Sequence, residues 1–133
     1  MKQVNQVGVD VDSEALVCAM QRAGQRQPLA TFANTAAGHK KFIRWATKGG
    51  HPVRVCLEAT GIYSLEFALA LHHAKNVEVM VVNPRAIKDF TRACMQRAKT
   101  DAVDAGGILD YLERMPFTEL EACPPVAAEE GPS

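Results

Sequence analysis

Apolar and polar positions alternate along the amino-terminal stretch VNQVGVDV. Val7, Val9 and Val11 fall on one face of a predicted strand, and Gly8 and Asp10 fall on the other face. Two further apolar stretches, ALVCAMQ and PLATFA, flank the polar and glycine-containing stretch RAGQRQ, which predicts a hairpin. The pattern therefore predicts that three antiparallel strands open the chain.

Helical and strand periodicities alternate along the rest of the chain. NTAAGHKKFIRWATKGG predicts an amphipathic helix that begins at Asn34 or Thr35 as N-cap and ends at a pair of glycines. VRVCLE predicts a strand ending at Glu58, a helix follows in IYSLEFALALHHA, and VEVMVV predicts a strand covered on both faces. Asn83 caps and Pro84 opens a further helix in NPRAIKDFTRAC. This order predicts an α/β fold.

The last predicted helix runs from about residue 100 to residue 115 and carries two aspartates at its start. Its apolar stripe has the spacing i, i+3, i+4, i+7 and consists of Ala105, Ile108, Leu109 and Leu112. Asp101 and Asp104 are one turn apart and continue this stripe, so both are predicted to point towards the sheet. Two half-buried like charges favour a bound cation, although the helix dipole alone also favours aspartate in a first turn.

Two more carboxylates lie where predicted strands end. Asp10 and Glu58 would join Asp101 and Asp104 if their strands are neighbours in the sheet. Carboxylate oxygens suit Mg²⁺ or Mn²⁺, and a pair of such ions about 3.5–4 Å apart is used in phosphodiester chemistry. Taken singly, Glu58 is also explained as a helix cap and Asp10 as the end of a strand. The four acids together, in the order D…E…D-x-x-D, favour a metal site.

Basic side chains precede the two aspartates of the last helix. Arg85, Lys88 and Arg92 are spaced i, i+3, i+7 and share one face of their predicted helix, and Arg97 and Lys99 follow closely. Such a face can contact the phosphate backbone of a nucleic acid. A solvated helix face has the same pattern.

Composition limits the class of protein and its compartment. A chain of 133 residues with 47% hydrophobic and 23% charged residues is typical of one globular domain. It has no apolar run of membrane-spanning length and no signal-peptide core, so we expect a cytoplasmic protein without a membrane partner. The four cysteines have no C-x-x-C spacing, and we expect them to be reduced structural thiols.

Charge divides the chain into two parts. The formal net charge is zero, yet residues 1–115 contain 15 basic and 11 acidic side chains, because every residue beyond this range is neutral or acidic. The remaining stretch is rich in proline and has no apolar periodicity. We therefore expect one globular body in residues 1–115 and a linker or flexible tail in residues 116–133.

The blocks VGVDVD, CLEATGIY, VNPRAIKDF and KTDAVDA resemble the successive signature blocks of the DEDD transposases of bacterial insertion sequences. The resemblance is to the insertion sequence 110 family and its 1111 branch, relatives of the Piv-type DNA invertases, and covers residues 5 to about 114. It implies an RNase H-like fold of RuvC type, with a mixed sheet that has an antiparallel three-strand start and is flanked by helices. It also implies that Asp10, Glu58, Asp101 and Asp104 are catalytic and hold two Mg²⁺ or Mn²⁺ ions.

The resemblance further implies partners and an activity. That family carries out site-specific DNA strand exchange with divalent metal, guided by a structured bridge RNA, and works as multimers. Its members are usually longer and have a second domain with a catalytic serine. None of the serines of this chain matches that serine. We therefore expect an isolated catalytic domain that does not complete recombination alone. Asp12 stands where the family has a small neutral residue, and the G-x-D spacing favours Asp10 as the ligand.

Two other functions stay open. An ATP-binding domain of the actin and sugar-kinase type also begins with three antiparallel strands and an early aspartate. That fold needs a glycine and a hydroxyl residue just after the aspartate, where this chain has DVDSEA. The second alternative is a non-catalytic fragment that binds nucleic acid or dimerises with a full-length transposase.

Overall fold

Six strands form a mixed sheet in the computed structural model, which describes residues 4–58, 62–95 and 105–117. The strands are β1 (Asn5–Val11), β2 (Ala15–Arg22), β3 (Gln25–Arg26), β4 (Ala30–Ala33), β5 (Val53–Glu58) and β6 (Val77–Val82). Their order is β3-β2-β1-β5-β6, and β4 also pairs with β2. β1 is antiparallel to β2 and parallel to β5, which is in turn parallel to β6.

The third predicted strand, PLATFA, contains β4. β3 lies in RAGQRQ, which was predicted as the connection of the hairpin, and both β3 and β4 pair with β2. Ala23 and Gly24 have φ angles of 53° and 79°, so they form the tight two-residue turn that hairpins favour. The chain therefore returns to β2 earlier than predicted. Pro28 lies between β3 and β4, and because proline has no N–H group it cannot continue the ladder there.

Four α-helices cover the sheet in the described residues. They are α1 (Ala36–Ala46), α2 (Ile62–His72), α3 (Pro84–Met95) and α4 (Ala105–Arg114). Of the two predicted caps of α1, Thr35 is the one used, since its Oγ1 accepts a hydrogen bond of 3.1 Å from the Gly38 amide. Asn83 caps α3 as predicted, accepting a hydrogen bond of 2.7 Å from the Arg85 amide. Residues 100–104, the predicted start of the last helix, lie outside the described residues.

Each face of the sheet has its own apolar core. α1 and α2 pack on the face of Val7, Val9 and Val11, and α3 and α4 pack on the other face. The four apolar residues predicted as the stripe of the last helix are all buried. β6 contributes to both cores, as its continuous apolar sequence predicted. The α/β class is confirmed, and the mixed sheet is compatible with an RNase H-like fold.

Helix α4 contacts β1 through backbone atoms. A Cβ atom added to Gly8 would lie 2.7 Å from the Ala105 carbonyl oxygen and 2.8 Å from Leu109 Cα. At the other end of α4, Arg26 forms ion pairs with Asp110 and Glu113. The helix is therefore fixed against the strand beneath it and against the β2–β3 hairpin.

Two of the predicted structural thiols lie in the described residues. Cys18 and Cys56 are buried and free, and burial raises the pKa of both thiols, that of Cys56 to about 12. This agrees with reduced structural thiols at these two positions. The side chain of Cys94 and all of Cys123 lie outside the described residues.

No helix in the part of the chain that the structure describes is long and apolar enough to cross a membrane.

The contact between α4 and β1 predicts a large effect of a single methyl group. We expect Gly8→Ala to lower the free energy of unfolding by about 3 kcal/mol, because backbone atoms of α4 cannot move aside as a flexible side chain can. In the control Gly24→Ala, an added Cβ meets nothing within 4 Å, and only the positive φ costs about 1 kcal/mol. Urea unfolding measures both, and equal losses would contradict the contact.

Candidate functional site

Asp10 and Glu58 lie side by side at the carboxyl ends of two parallel strands. The register of β1 and β5 pairs Val9 with Leu57, and the next positions in that register are Asp10 and Glu58. Both acids lie on the face that α3 and α4 cover, since Cys56, two residues before Glu58, belongs to that core. The sequence predicted a shared site on the condition that these two strands are neighbours. The structure meets this condition.

Burial, Asp10 and Lys88 all act on the pKa of Glu58. Burial raises the pKa of Glu58, and the negative charge of Asp10 raises it further. The positive charge of Lys88, on α3, acts in the opposite direction. Two carboxylates of like charge therefore share a half-buried position with one lysine opposite them.

Helix α4 begins at the same end of the sheet. Ala105, its first residue, is fully buried and packs at Gly8, two residues before Asp10. The helix runs towards the opposite end of the sheet, where Asp110 and Glu113 form ion pairs with Arg26. Arg26 is itself paired with Gln21 of β2. Asp101 and Asp104 come just before α4 but lie outside the described residues, so their position remains a prediction.

The chemistry of Asp10 and Glu58 fits a divalent cation. Carboxylate oxygens are hard ligands of the kind that Mg²⁺ and Mn²⁺ prefer, and a cation would relieve the repulsion that raises the pKa of Glu58. Two carboxylates are too few for a complete site. Within residues 4–58, 62–95 and 105–117 there is no group of three or more His, Cys, Asp or Glu residues able to hold a metal ion.

Asp12 occupies a different position from Asp10. It is exposed in the turn after β1, where its amide donates a hydrogen bond of 2.9 Å to the Ala15 carbonyl oxygen. Its carboxylate accepts a hydrogen bond of 3.2 Å from the Ser13 hydroxyl. The carboxylate beside Glu58 thus belongs to Asp10, the residue that the G-x-D spacing favours.

Asn34 connects two segments near Asp10 and Glu58 by hydrogen bonds that the sequence did not predict. Its Nδ2 donates hydrogen bonds of 2.8 Å and 2.9 Å to the carbonyl oxygens of Asp12 and Tyr63. Its Oδ1 accepts one of 2.7 Å from His39 Nε2, and burial lowers the pKa of that histidine. Asn34 therefore ties the turn after Asp10 to the helix after Glu58. Its local sequence indicates only a helix cap, because these contacts are distant along the chain.

The predicted basic face of α3 lines an open groove of about 570 Å³. Arg85, Lys88 and Arg92 are exposed there, with one acidic residue, Asp89. Lys88 also acts on Glu58, so the groove adjoins the pair of acids. Arg97 and Lys99, the other predicted basic residues, lie outside the described residues.

The proximity of the two acids can be tested by titration. We expect Asp10→Asn to lower the pKa of Glu58, because it removes a neighbouring negative charge, and Lys88→Met to raise it. The control Asp12→Asn should leave it unchanged. The side-chain carboxyl resonance of Glu58, followed by NMR over pH, reports each value. A pKa that responds to Asp12 and not to Asp10 would contradict the arrangement.

Comparison with known proteins identifies the family. The model of the DEDD transposase family of insertion sequence 110, described as a transposase, matches residues 7–128. The match includes Asp10 and Glu58 and continues beyond Phe117, the last described residue. No curated protein matches the chain. Since the family model covers most of its length, the chain belongs to the DEDD transposases of insertion sequence 110.

Proposed function

We propose that this chain is the catalytic domain of an insertion-sequence recombinase that cleaves and exchanges DNA strands. In this proposal Asp10, Glu58, Asp101 and Asp104 form one carboxylate cluster that holds Mg²⁺ or Mn²⁺. The observation that carries the proposal is the pair Asp10 and Glu58, adjacent at the carboxyl ends of two parallel strands, with the pKa of Glu58 raised by burial and by Asp10. A like-charged pair is unfavourable for folding and is typical of a functional site.

The start of α4 supports the assignment of the other two acids. Asp104 is bonded to Ala105, and consecutive Cα atoms are about 3.8 Å apart. Ala105 packs at Gly8, on the face and near the end of the sheet where Asp10 lies. A short chain segment entering α4 can therefore bring Asp104 and Asp101 towards Asp10 and Glu58.

The residues of the chain have separate tasks in this mechanism. When bound, a pair of divalent ions stabilises the attacking and leaving oxygens of a phosphodiester. The four carboxylates hold the ions, and Asn34 keeps the segments after Asp10 and Glu58 together. Lys88 partly neutralises the acids and also faces the groove, so it lies between the proposed metal site and the proposed DNA surface.

The groove on α3 is the surface that we assign to DNA. Arg85, Lys88 and Arg92 are exposed along it, and phosphate contacts need positive charge of this kind. In the same proposal Arg97 and Lys99 extend the surface towards the two aspartates. A structured guide RNA and further copies of the chain are the other partners that we carry over from the family.

The family match favours this function over an ATP-binding domain of the actin and sugar-kinase type. A fragment that binds nucleic acid without cleaving it shares the groove but does not need the pair of acids. The two predictions that follow separate binding from catalysis.

Binding to DNA should depend on salt through the α3 groove. We expect Arg85→Ala, Lys88→Ala and Arg92→Ala together to reduce the slope of log affinity against log salt by about 2–3, since each lost phosphate contact removes about 0.9. The matched control replaces Lys41, Arg44 and Lys48 with alanine.

These three control cations are exposed on or just after α1, on the other face of the sheet. Fluorescence anisotropy with a labelled duplex between about 50 and 200 mM salt gives both slopes. A change in the control and not in the α3 variant would move the DNA surface to α1.

Strand cleavage should require the acids that precede α4. We expect Asp101→Asn or Asp104→Asn to reduce Mn²⁺-dependent cleavage by at least about 100-fold without changing the circular dichroism spectrum, because each removes charge that holds the ions. Asp12→Asn, on an exposed aspartate of the turn after β1, is the control and should cleave normally. Binding without any cleavage by the unchanged chain would favour the non-catalytic fragment.

A further inference from the structure

The backbone pairing between β1 and β5 ends one position before the two candidate acids. Its last register pair is Val9 and Leu57, and Asp10 and Glu58 are the residues that follow. Each acid is still paired on its outer side, Asp10 with β2 and Glu58 with β6. The distance between the two acids therefore also depends on how the chain segments that follow them are joined.

Asn34 joins these two segments through its side-chain amide. Its Nδ2 donates hydrogen bonds of 2.8 Å to the Asp12 carbonyl oxygen and 2.9 Å to the Tyr63 carbonyl oxygen. Asp12 lies two positions after Asp10, and Tyr63 lies five positions after Glu58. One nitrogen thus holds both segments, and moving them apart breaks one of the two bonds. The acids lie between the last pair of the β1–β5 ladder and this amide.

The backbone of Asn34 is itself held between β4 and α1. Its amide donates a hydrogen bond of 3.0 Å to the Glu14 carbonyl oxygen. A Cβ atom added to Gly38, near the start of α1, would overlap the Ala33 carbonyl group, so the helix packs directly on the end of β4. Asn34 is therefore a fixed point from which its side chain reaches the two segments.

His39 holds the other side of the Asn34 amide. Its Nε2 lies 2.7 Å from Asn34 Oδ1. The two backbone carbonyl groups can only accept, so the amide nitrogen faces them and the amide oxygen accepts from His39. A neutral imidazole has one N–H group, and this arrangement places it on Nε2. The ring is 4% exposed and packs against Phe67, with the ring centroids 5.0 Å apart, so its own orientation is fixed.

We propose that Asn34 and His39 are positioning residues for Asp10 and Glu58. Asn34 fixes the separation of the two segments, and His39 fixes the orientation of the Asn34 amide; we call these two side chains the Asn34 clamp. Mg²⁺ demands that its oxygen ligands stand at defined distances, which two repelling carboxylates keep only when the chain around them is held. The effect of the clamp on metal binding rests on the proposed function, whereas the clamp itself is testable without metal.

NMR of the metal-free chain tests the clamp itself. We expect the ring nitrogen shifts of His39 to show the Nε2–H tautomer. The side-chain amide protons of Asn34 should exchange with water at least about tenfold more slowly than those of Asn76, an exposed asparagine, because they are hydrogen-bonded. A neutral His39 with its proton on Nδ1, or an Asn34 amide that exchanges as fast as that of Asn76, would overturn the proposal.

Calorimetric titration with Mn²⁺ near neutral pH tests the positioning role. We expect Asn34→Leu and His39→Leu to raise the dissociation constant for Mn²⁺ by at least about tenfold, as is typical when an outer partner of a metal site is removed. His39→Gln should bind as the unchanged chain does, because the glutamine Nε2 is the same number of bonds from the backbone and also donates. The matched control His73→Leu, at an exposed histidine just after α2, should bind normally as well.

The outcomes distinguish a failure of the positioning role from a failure of the metal site. If both leucine variants bind Mn²⁺ as tightly as the unchanged chain, the metal site stands and the positioning role is wrong. A loss of affinity in His39→Leu that His39→Gln shares equally contradicts the role of the His39 hydrogen bond. If no chain binds Mn²⁺, even with a DNA duplex present, the metal site and the positioning role fail together. Circular dichroism confirms that each variant is folded, and Asn34→Leu, which replaces a half-buried side chain, carries the test if His39→Leu does not fold.

Discussion

The direct backbone contact between α4 and β1 at Gly8 is the constraint on which the rest of the structure depends. Any side chain at this position would overlap the Ala105 and Leu109 backbone. The contact sets the depth of α4 over the sheet, so that its apolar stripe completes the second core. It also brings the start of α4 to the end of the sheet where Asp10 and Glu58 lie. One glycine thus couples the packing of the fold to the geometry of the candidate site.

Asp10 and Glu58 are held next to each other although their charges repel. Asp10 and Glu58 occupy adjacent positions of two parallel strands, where their charges repel and burial adds to the cost of ionising Glu58. The strands are fixed by the apolar residues that alternate with these acids, and Val9 and Leu57 are fully buried. Lys88 offsets only part of the repulsion. The surrounding core therefore holds the acids together even though they do not stabilise each other.

Local pattern was enough to predict which way the residues of β1 and α4 face. Alternation in β1 put Asp10 opposite the valines, and the 3.6-residue period put Ala105 and Ile108 in the core, as the structure has them. From the sequence alone, it could only be assumed that β1 and β5 are neighbours in the sheet. Pairing between strands that are distant in sequence is a property of the whole sheet, which a local pattern does not contain.

The contacts that the sequence analysis missed are non-local ones. Arg26 meets Asp110 and Glu113 across 84 and 87 positions of sequence, and Asn34 reaches Tyr63 across 29. Gly8 gives no local sign that a helix backbone lies over it. The short strand β3, inside the predicted connection RAGQRQ, depends on a turn at Ala23 and Gly24 that the composition of this stretch did not locate. Asp101 and Asp104 were singled out by spacing and family resemblance, and their place in the cluster remains a prediction.

A calorimetric titration of the chain with Mn²⁺ near neutral pH, alone and with a DNA duplex, tests the proposed metal site most directly when it is run beside Asp10→Asn and Asp12→Asn. We expect binding to the unchanged chain and to Asp12→Asn, and loss of that binding in Asp10→Asn. If Asp10→Asn binds Mn²⁺ as the unchanged chain does, or if none of the chains binds it even with DNA present, Asp10 and Glu58 are not part of a metal site.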